Sequence, residues 1–230
     1  VDVVEPNNPN PTRKTYGALD FAYDYFNRKL FESELRYCLI TMQRRRTVCG
    51  FFASARFISS DQTHVCDEIG LDPRYWGLRR SDAENLSTLV HEMTHLWQHY
   101  HGKSGRGGYH NRQFSRKMFE VGLVTSETGA PGGKQTGARM THYIAKNGAF
   151  EQACTELLDR GYVIPYAEIL SKNDDRGLLK RRQARANSKT TYTCPNCDPP
   201  MHVWGKPSLH VICGLCEGSL VAEPIDRGEE

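Results

Sequence analysis

The sequence predicts an α+β domain followed by a small cysteine-held module. Three observations carry this. Strand-forming runs gather between two stretches of helical apolar spacing. A helix that opens with a capping box carries two histidines four residues apart. Two CxxC pairs follow a polar, basic segment near the end of the chain. The 230 residues suit one medium domain plus a module. With 30 Lys+Arg against 27 Asp+Glu, a strongly basic protein is excluded, although local patches remain open. The 9 Phe, 11 Tyr and 3 Trp are too many for a disordered chain.

Residues 1–14 are rich in Asn and Pro and are expected to be unstructured. They lack the basic and apolar regions of a secretory signal, and a start at Val1 suggests that the native N-terminus is missing. Leu19, Ala22, Tyr23, Phe26 and Leu30 predict an amphipathic helix over residues 17–31. Residues 35–42, 50–58 and 65–71 read as strands of a small, mainly antiparallel sheet, with Arg44-Arg45-Arg46 as a hairpin connection. Ser81 and Glu84 form a capping box for a helix with Leu86, Leu89, Val90, Met93, Leu96 and Trp97 on its apolar side. Four glycines between 102 and 108 end it. Further helices are expected over 111–121 and 149–159, separated by a Gly/Thr/Pro loop over 123–140. No window of about 18 apolar residues is present, so no membrane helix is expected.

His91-Glu92-Met93-Thr94-His95 lies on the capped helix. Residues i and i+4 share one helix face, so both imidazoles can reach one zinc ion. Glu92 is turned about 100° around the axis and is free to act as general base on a water activated by the metal. A catalytic zinc needs a third protein ligand. His99 stands eight residues from His91, about 12 Å along the axis, too far to share one ion. His110 is preferred, because the glycines before it let the chain reverse; His101, Glu120 and Glu127 are alternatives. His101 would fit a longer H-E-x-x-H-x-x-G-x-x-H pattern, but Gln98 occupies its glycine position. His142 and Tyr143 are either oxyanion donors or, more simply, packing residues. Lys103, Arg106, Arg112, Arg116 and Lys117 form a basic group near the motif.

Cys194, Cys197, Cys213 and Cys216 have the spacing of a zinc ribbon. Four thiolates close the metal's coordination, so this zinc is structural and supplies most of the module's folding free energy. Lys180, Arg181, Arg182 and Arg185 before the module, with Trp204 and Lys206 inside it, combine charge with an aromatic face and suit nucleic-acid phosphates and bases. Cys38, Cys49, Cys66 and Cys154 read as inert small residues.

Phe26-Asn-Arg-Lys-Leu-Phe31, the strand near Gly50, Ile69-Gly-Leu-Asp-Pro73, His91-Glu-Met-Thr-His95 and the segment from Tyr109 to Met118 occur in the order found in the SprT-like family, which the chain resembles over about residues 16–122. The Spartan proteases are its eukaryotic members. The ribbon, the Gly-rich loop and Met140-Thr-His-Tyr-Ile144 resemble bacterial and mobile-element members. The resemblance implies a zincin-like metalloprotease fold, zinc on His91, His95 and His110, and Glu92 as catalytic base. Asn111 departs from the glycine common after the distal histidine.

The expected organisation is a disordered segment (1–14), a SprT-like zinc metalloprotease domain (15–165), a basic linker (166–190), a zinc ribbon (191–222) and an acidic tail (223–230). The expected function is zinc-dependent hydrolysis of proteins associated with or crosslinked to DNA, using one catalytic and one structural Zn²⁺. A monomer is expected, in the cytoplasm and near the nucleoid if DNA is the partner, with no membrane association. One rival is a non-enzymatic DNA-binding or regulatory protein with structural zinc in the histidine site. Another is a zinc hydrolase acting on a non-protein amide.

Overall fold

A computed structural model describes residues 10–45, 48–76, 80–166, 168, 190–205 and 209–222. The chain divides into two compact units, residues 1–168 and 169–230. The first has a mixed α+β architecture, as expected.

Helix α1 (Pro11–Leu30) begins earlier than the sequence reading placed it, so residues 10–14 are not part of a disordered segment. The Asn10 side chain accepts from the Arg13 N–H, and Pro11 occupies a first-turn position where no N–H is needed. The buried face includes Leu19, Ala22, Tyr23 and Phe26. Asn27, also buried, fixes the chain beyond the helix: its side chain donates to the Leu35 carbonyl and accepts from the Leu35 N–H, each at 3.1 Å.

Strands β1 (Leu39–Met42), β2 (Gly50–Ile58) and β3 (Val65–Leu71) form a sheet in the order β1-β3-β2. The sheet is mixed rather than antiparallel: β1 runs parallel to β3, and β2 antiparallel to it. The arginine segment therefore does not close a hairpin, because β3 inserts between the strands it joins. Residues 35–38 also lie outside β1, as the Asn27 side chain ties the Leu35 backbone to the end of α1. The central strand carries the deepest burial, with Ile69 and Leu71 fully covered.

Helix α2 (Asp82–His101) starts with both hydrogen bonds of the Ser81–Glu84 capping box. Leu86, Leu89, Val90, Met93 and Leu96 are fully buried, each contributing roughly 1.5–3 kcal/mol of transfer free energy. A single 3₁₀ turn at Arg106–Gly108 precedes α3 (Arg112–Glu120). The expected loop over 123–140 contains β4 (Leu123–Ser126), which pairs antiparallel with β5 (Thr141–Ile144). These strands are only four residues long, and the 14 residues between them hide the pairing from local pattern. Helix α4 (Ala149–Asp159) packs Phe150 on Phe26, with ring centroids 5.5 Å apart, and accepts a 2.9 Å hydrogen bond from Tyr25 at Ala153.

The second unit has β6 (Thr190–Thr193), β7 (His202–Gly205) and β8 (Val221–Ala222) in the order β7-β6-β8, all antiparallel. Its small core consists of Tyr192, Cys194, Cys213 and Leu220. No helix among the described residues is long and apolar enough to cross a membrane.

Candidate metal centre

Helix α2 places His91 and His95 one turn apart, and the start of α3 brings His110 to them. Their Nε2 atoms converge: His91 to His110 is 3.3 Å and His95 to His110 is 3.1 Å. Three nitrogens about 2.0–2.1 Å from a tetrahedral ion would lie about 3.3 Å apart, so the spacing fits zinc. The Phe114 ring forms a wall against the histidines, with centroid distances of 5.1 Å to His91, 4.2 Å to His95 and 4.7 Å to His110.

The protonation states fit a cation as well. His110 Nδ1 lies 3.2 Å from the Gly137 carbonyl, which can only accept, so the ring proton sits there and Nε2 presents a lone pair. Burial holds all three rings neutral: it lowers the pKa of His91 far below 6.5, that of His95 to about 3, and that of His110 to a lesser degree. Lone pairs facing one another at such distances repel unless a positive centre lies between them.

Two backbone devices deliver His110. Its N–H donates to the Gly137 carbonyl at 2.8 Å, and the Gly137 N–H donates back at 3.1 Å. Asn111 caps α3, accepting from the Phe114 N–H at 3.0 Å, while its amide donates to the Lys103 carbonyl at 2.8 Å. Asn111 has φ −85°, so the glycine common at this position in relatives is not needed here. Gln98 is buried and donates to the Asn111 Oδ1 at 2.8 Å.

Glu92 is buried beside the histidines, and burial pushes its carboxyl up to about 8. Gly50, at the start of β2, faces it. A methyl group there would lie 2.9 Å from Glu92 Oε1 and 3.1 Å from Thr88 Cγ2, so only glycine leaves the carboxylate its place.

The other candidates fall elsewhere. His99 packs on Phe52, with centroids 5.7 Å apart, and His101 stacks on Trp97 at 6.0 Å. Neither they nor Glu120 and Glu127 join a metal-competent group among the described residues. His142 does not stand free as an oxyanion donor. Its Nδ1 is 3.1 Å from His91 Nδ1 and its Nε2 is 2.8 Å from Ser87 Oγ. Gly137, Phe114, Gly50 and the Gln98–Asn111 pair were not singled out as site residues from sequence. The His91–His95 spacing reveals only the part of the site that lies within one helix.

The basic group near the motif is divided. Arg112 and Arg116 line a shallow cavity of about 460 Å³ with Phe119 and Gln135, and Lys103 and Arg112 border another of about 640 Å³. Lys117 instead lies over the Trp97 ring at 4.8 Å and pairs with Glu120 at 3.4 Å.

In the second unit, Sγ distances are 3.7 Å for Cys194–Cys197, 3.4 Å for Cys194–Cys216 and 3.6 Å for Cys197–Cys213. Four sulfurs about 2.3 Å from a tetrahedral ion would be about 3.8 Å apart, whereas a disulfide would need about 2.0 Å. Backbone N–H groups of Leu215 and Cys216 lower Cys213 to about 6 and favour its thiolate. His202 contacts Thr193 at 2.9 Å and is not among the ligands. Burial raises Cys38 to about 12 and Cys154 to about 11, so both stay protonated at neutral pH. Lys180, Arg181, Arg182, Arg185 and Lys206 lie outside the described residues, as do residues 223–230 and the side chain of Trp204.

The model of the SprT-like family matches residues 20–142, a span holding all three histidines, Glu92 and His142. The chain belongs to the SprT-like family. A SprT-like chain with this site carries a zinc-metallopeptidase-like domain, followed here by a four-cysteine group compatible with a zinc ribbon. The chain is also 46% identical over 59 residues to a Salmonella typhimurium protein described as an uncharacterized protein in the mucB 3′ region. That match covers 26% of this chain and 80% of the relative. No solved structure matches the chain.

Proposed function

We propose that this chain is a zinc-dependent metalloendopeptidase whose substrates are proteins associated with DNA or crosslinked to it. The observation that carries the reading is the convergence of three histidine Nε2 atoms beside a buried carboxyl on α2. His91, His95 and His110 would hold the catalytic ion, and Cys194, Cys197, Cys213 and Cys216 a structural one. A bound zinc supplies Lewis-acid polarisation and lowers the pKa of water toward about 7.

The chain's own residues complete the chemistry. Glu92 takes the proton of the attacking water and returns it to the leaving amine nitrogen. Phe114 covers one side of the imidazoles, and Gly50 leaves the carboxylate in reach. The DNA part of the reading draws on the sequence: Lys180, Arg181, Arg182 and Arg185 with Trp204 and Lys206 would contact phosphates and bases.

The test is cleavage of a DNA-binding protein by the zinc-loaded full chain, with and without single-stranded DNA, beside Glu92→Gln. Cleavage that DNA stimulates and the variant loses is expected. Unchanged cleavage by a folded, zinc-loaded Glu92→Gln would overturn the catalytic assignment. Cleavage that ignores DNA would overturn DNA activation.

A further inference from the structure

We propose that His142 is a positioning residue for His91, acting through a one-directional chain of hydrogen bonds, His91–His142–Ser87–Glu84, that aims the His91 Nε2 lone pair at the metal. The proposal rests on the reading of His91, His95 and His110 as a zinc site.

The chain begins at a group with no choice. The Glu84 carbonyl can only accept, and Ser87 Oγ lies 2.8 Å from it, so the Ser87 proton is used there. Ser87 Oγ can then only accept from His142 Nε2, 2.8 Å away, and that nitrogen carries the His142 ring proton. A neutral imidazole holds one ring proton, and in the partly buried His142 it is the one on Nε2. Its Nδ1 is therefore a lone pair. It faces His91 Nδ1 at 3.1 Å, which must be the protonated nitrogen of that ring. With its ring proton on Nδ1, the His91 imidazole is left with a lone pair at Nε2, on the side shared with His110.

Each link fixes the next. Glu84, Ser87 and His91 lie three and four residues apart on one face of α2, and His142 reaches them from β5. The capping box holds Glu84 in place. His110 obtains the same tautomer directly from the Gly137 carbonyl. Two of the three proposed ligands thus have their ring protons placed by main-chain carbonyls, one directly and one through a serine and a second histidine. Partners of this kind orient a ligand ring and raise its basicity, and losing them typically lowers metal affinity about 10–100-fold.

The experiment uses the full chain and zinc, with affinity read by competition against a chromophoric chelator. Wild type is expected to bind two ions and His95→Ala one. Equal stoichiometry in these two proteins would overturn the zinc-site reading itself, and the His142 assignment with it. With the site established, His142→Leu is expected to bind the second ion about 10–100-fold more weakly, while keeping its metal-free melting temperature. His142→Asn keeps an acceptor near the Nδ1 position and is expected to restore most of the affinity. Wild-type affinity in His142→Leu, or equal losses in the two variants, would overturn the proposal. Imidazole ¹⁵N spectra of the zinc-loaded wild type give a reading that does not depend on any variant folding. A proton on His142 Nε2 and on His91 Nδ1 is expected; a proton on His142 Nδ1 would overturn the assignment.

Discussion

The Gln98 side chain donates to Asn111 Oδ1 at 2.8 Å, joining the last turn of α2 to the cap of α3 one residue after His110. Asn111 Oδ1 also accepts from the Phe114 N–H. One oxygen atom therefore ties the helix bearing His91 and His95 to the backbone that presents His110 and Phe114. Gln98→Leu would leave that end of the buried contact unmade and is expected to cost about 1–3 kcal/mol. A drop of several degrees in the melting temperature of the zinc-loaded protein, together with weaker zinc binding, checks this. An unchanged affinity would show that Asn111 holds His110 without Gln98.

Gly50 gives a separate handle on the carboxyl. A Cβ at this position would lie 2.9 Å from Oε1 and 3.0 Å from Cγ of Glu92, and burial leaves that side chain little room to move away. Gly50→Ala is expected to bind zinc normally and to lose activity about 10-fold or more, since a misplaced base forfeits much of a typical 10²–10⁴-fold contribution. Turnover measured at matched zinc content decides the matter. Full activity would mean that Glu92 relaxes freely.

Glu92 also sets a pH dependence of known sign. Its folded pKa, about 8, lies above the usual carboxylate value of 4.5. In metal-free protein it therefore contributes stability that is fully present below about pH 4.5 and is lost progressively as pH rises to about 8. Glu92→Gln removes that slope. The melting temperature of the metal-free variant should pull ahead of wild type across this window and keep a constant lead above it. Parallel pH profiles of the two proteins would contradict the burial argument.

The ribbon cysteines predict independent behaviour of the two metal groups. Cys213→Ser removes the thiol whose anion the Leu215 and Cys216 N–H groups favour. It is expected to bind one zinc fewer and to unfold the small core of Tyr192, Cys194 and Leu220. The zinc affinity of the histidine centre should stay the same. Zinc content, and near-ultraviolet signal from Tyr192 compared with Tyr192→Phe, report on these separately.

The parts of the fold that could be read in the chain are those whose cause is local. The capping box and apolar stripe of α2 are set by neighbours three and four residues apart, and so is the His91–His95 pair. The CxxC knuckles are equally local. The parallel pairing of β1 with β3 depends on a third strand entering between two others, which no run of residues announces. The early start of α1 turned on one Asn side chain and a proline that composition alone made look disordered. At the site, His110 was legible because glycines precede it. The Gly137 carbonyl that fixes its tautomer lies 27 residues away in a segment with no periodic pattern. His142 was visible as a histidine, but its role depends on β4–β5 pairing, which brings it against α2.

The reciprocal pairing of His110 with Gly137 makes the histidine centre dependent on an intact surface loop. Between β4 and that contact the chain passes through Gly129-Ala-Pro-Gly-Gly133, where Pro131 and Gly132 are exposed. While the chain is continuous, the loop closure keeps Gly137 at high local concentration beside His110. A cut within those residues would leave Gly137 tied to the domain only through the three residues that lead into β5. The histidine centre is thus exposed to damage from a distance: a single nick in the glycine-rich loop would remove one of the two chain connections that hold the Gly137 carbonyl against His110.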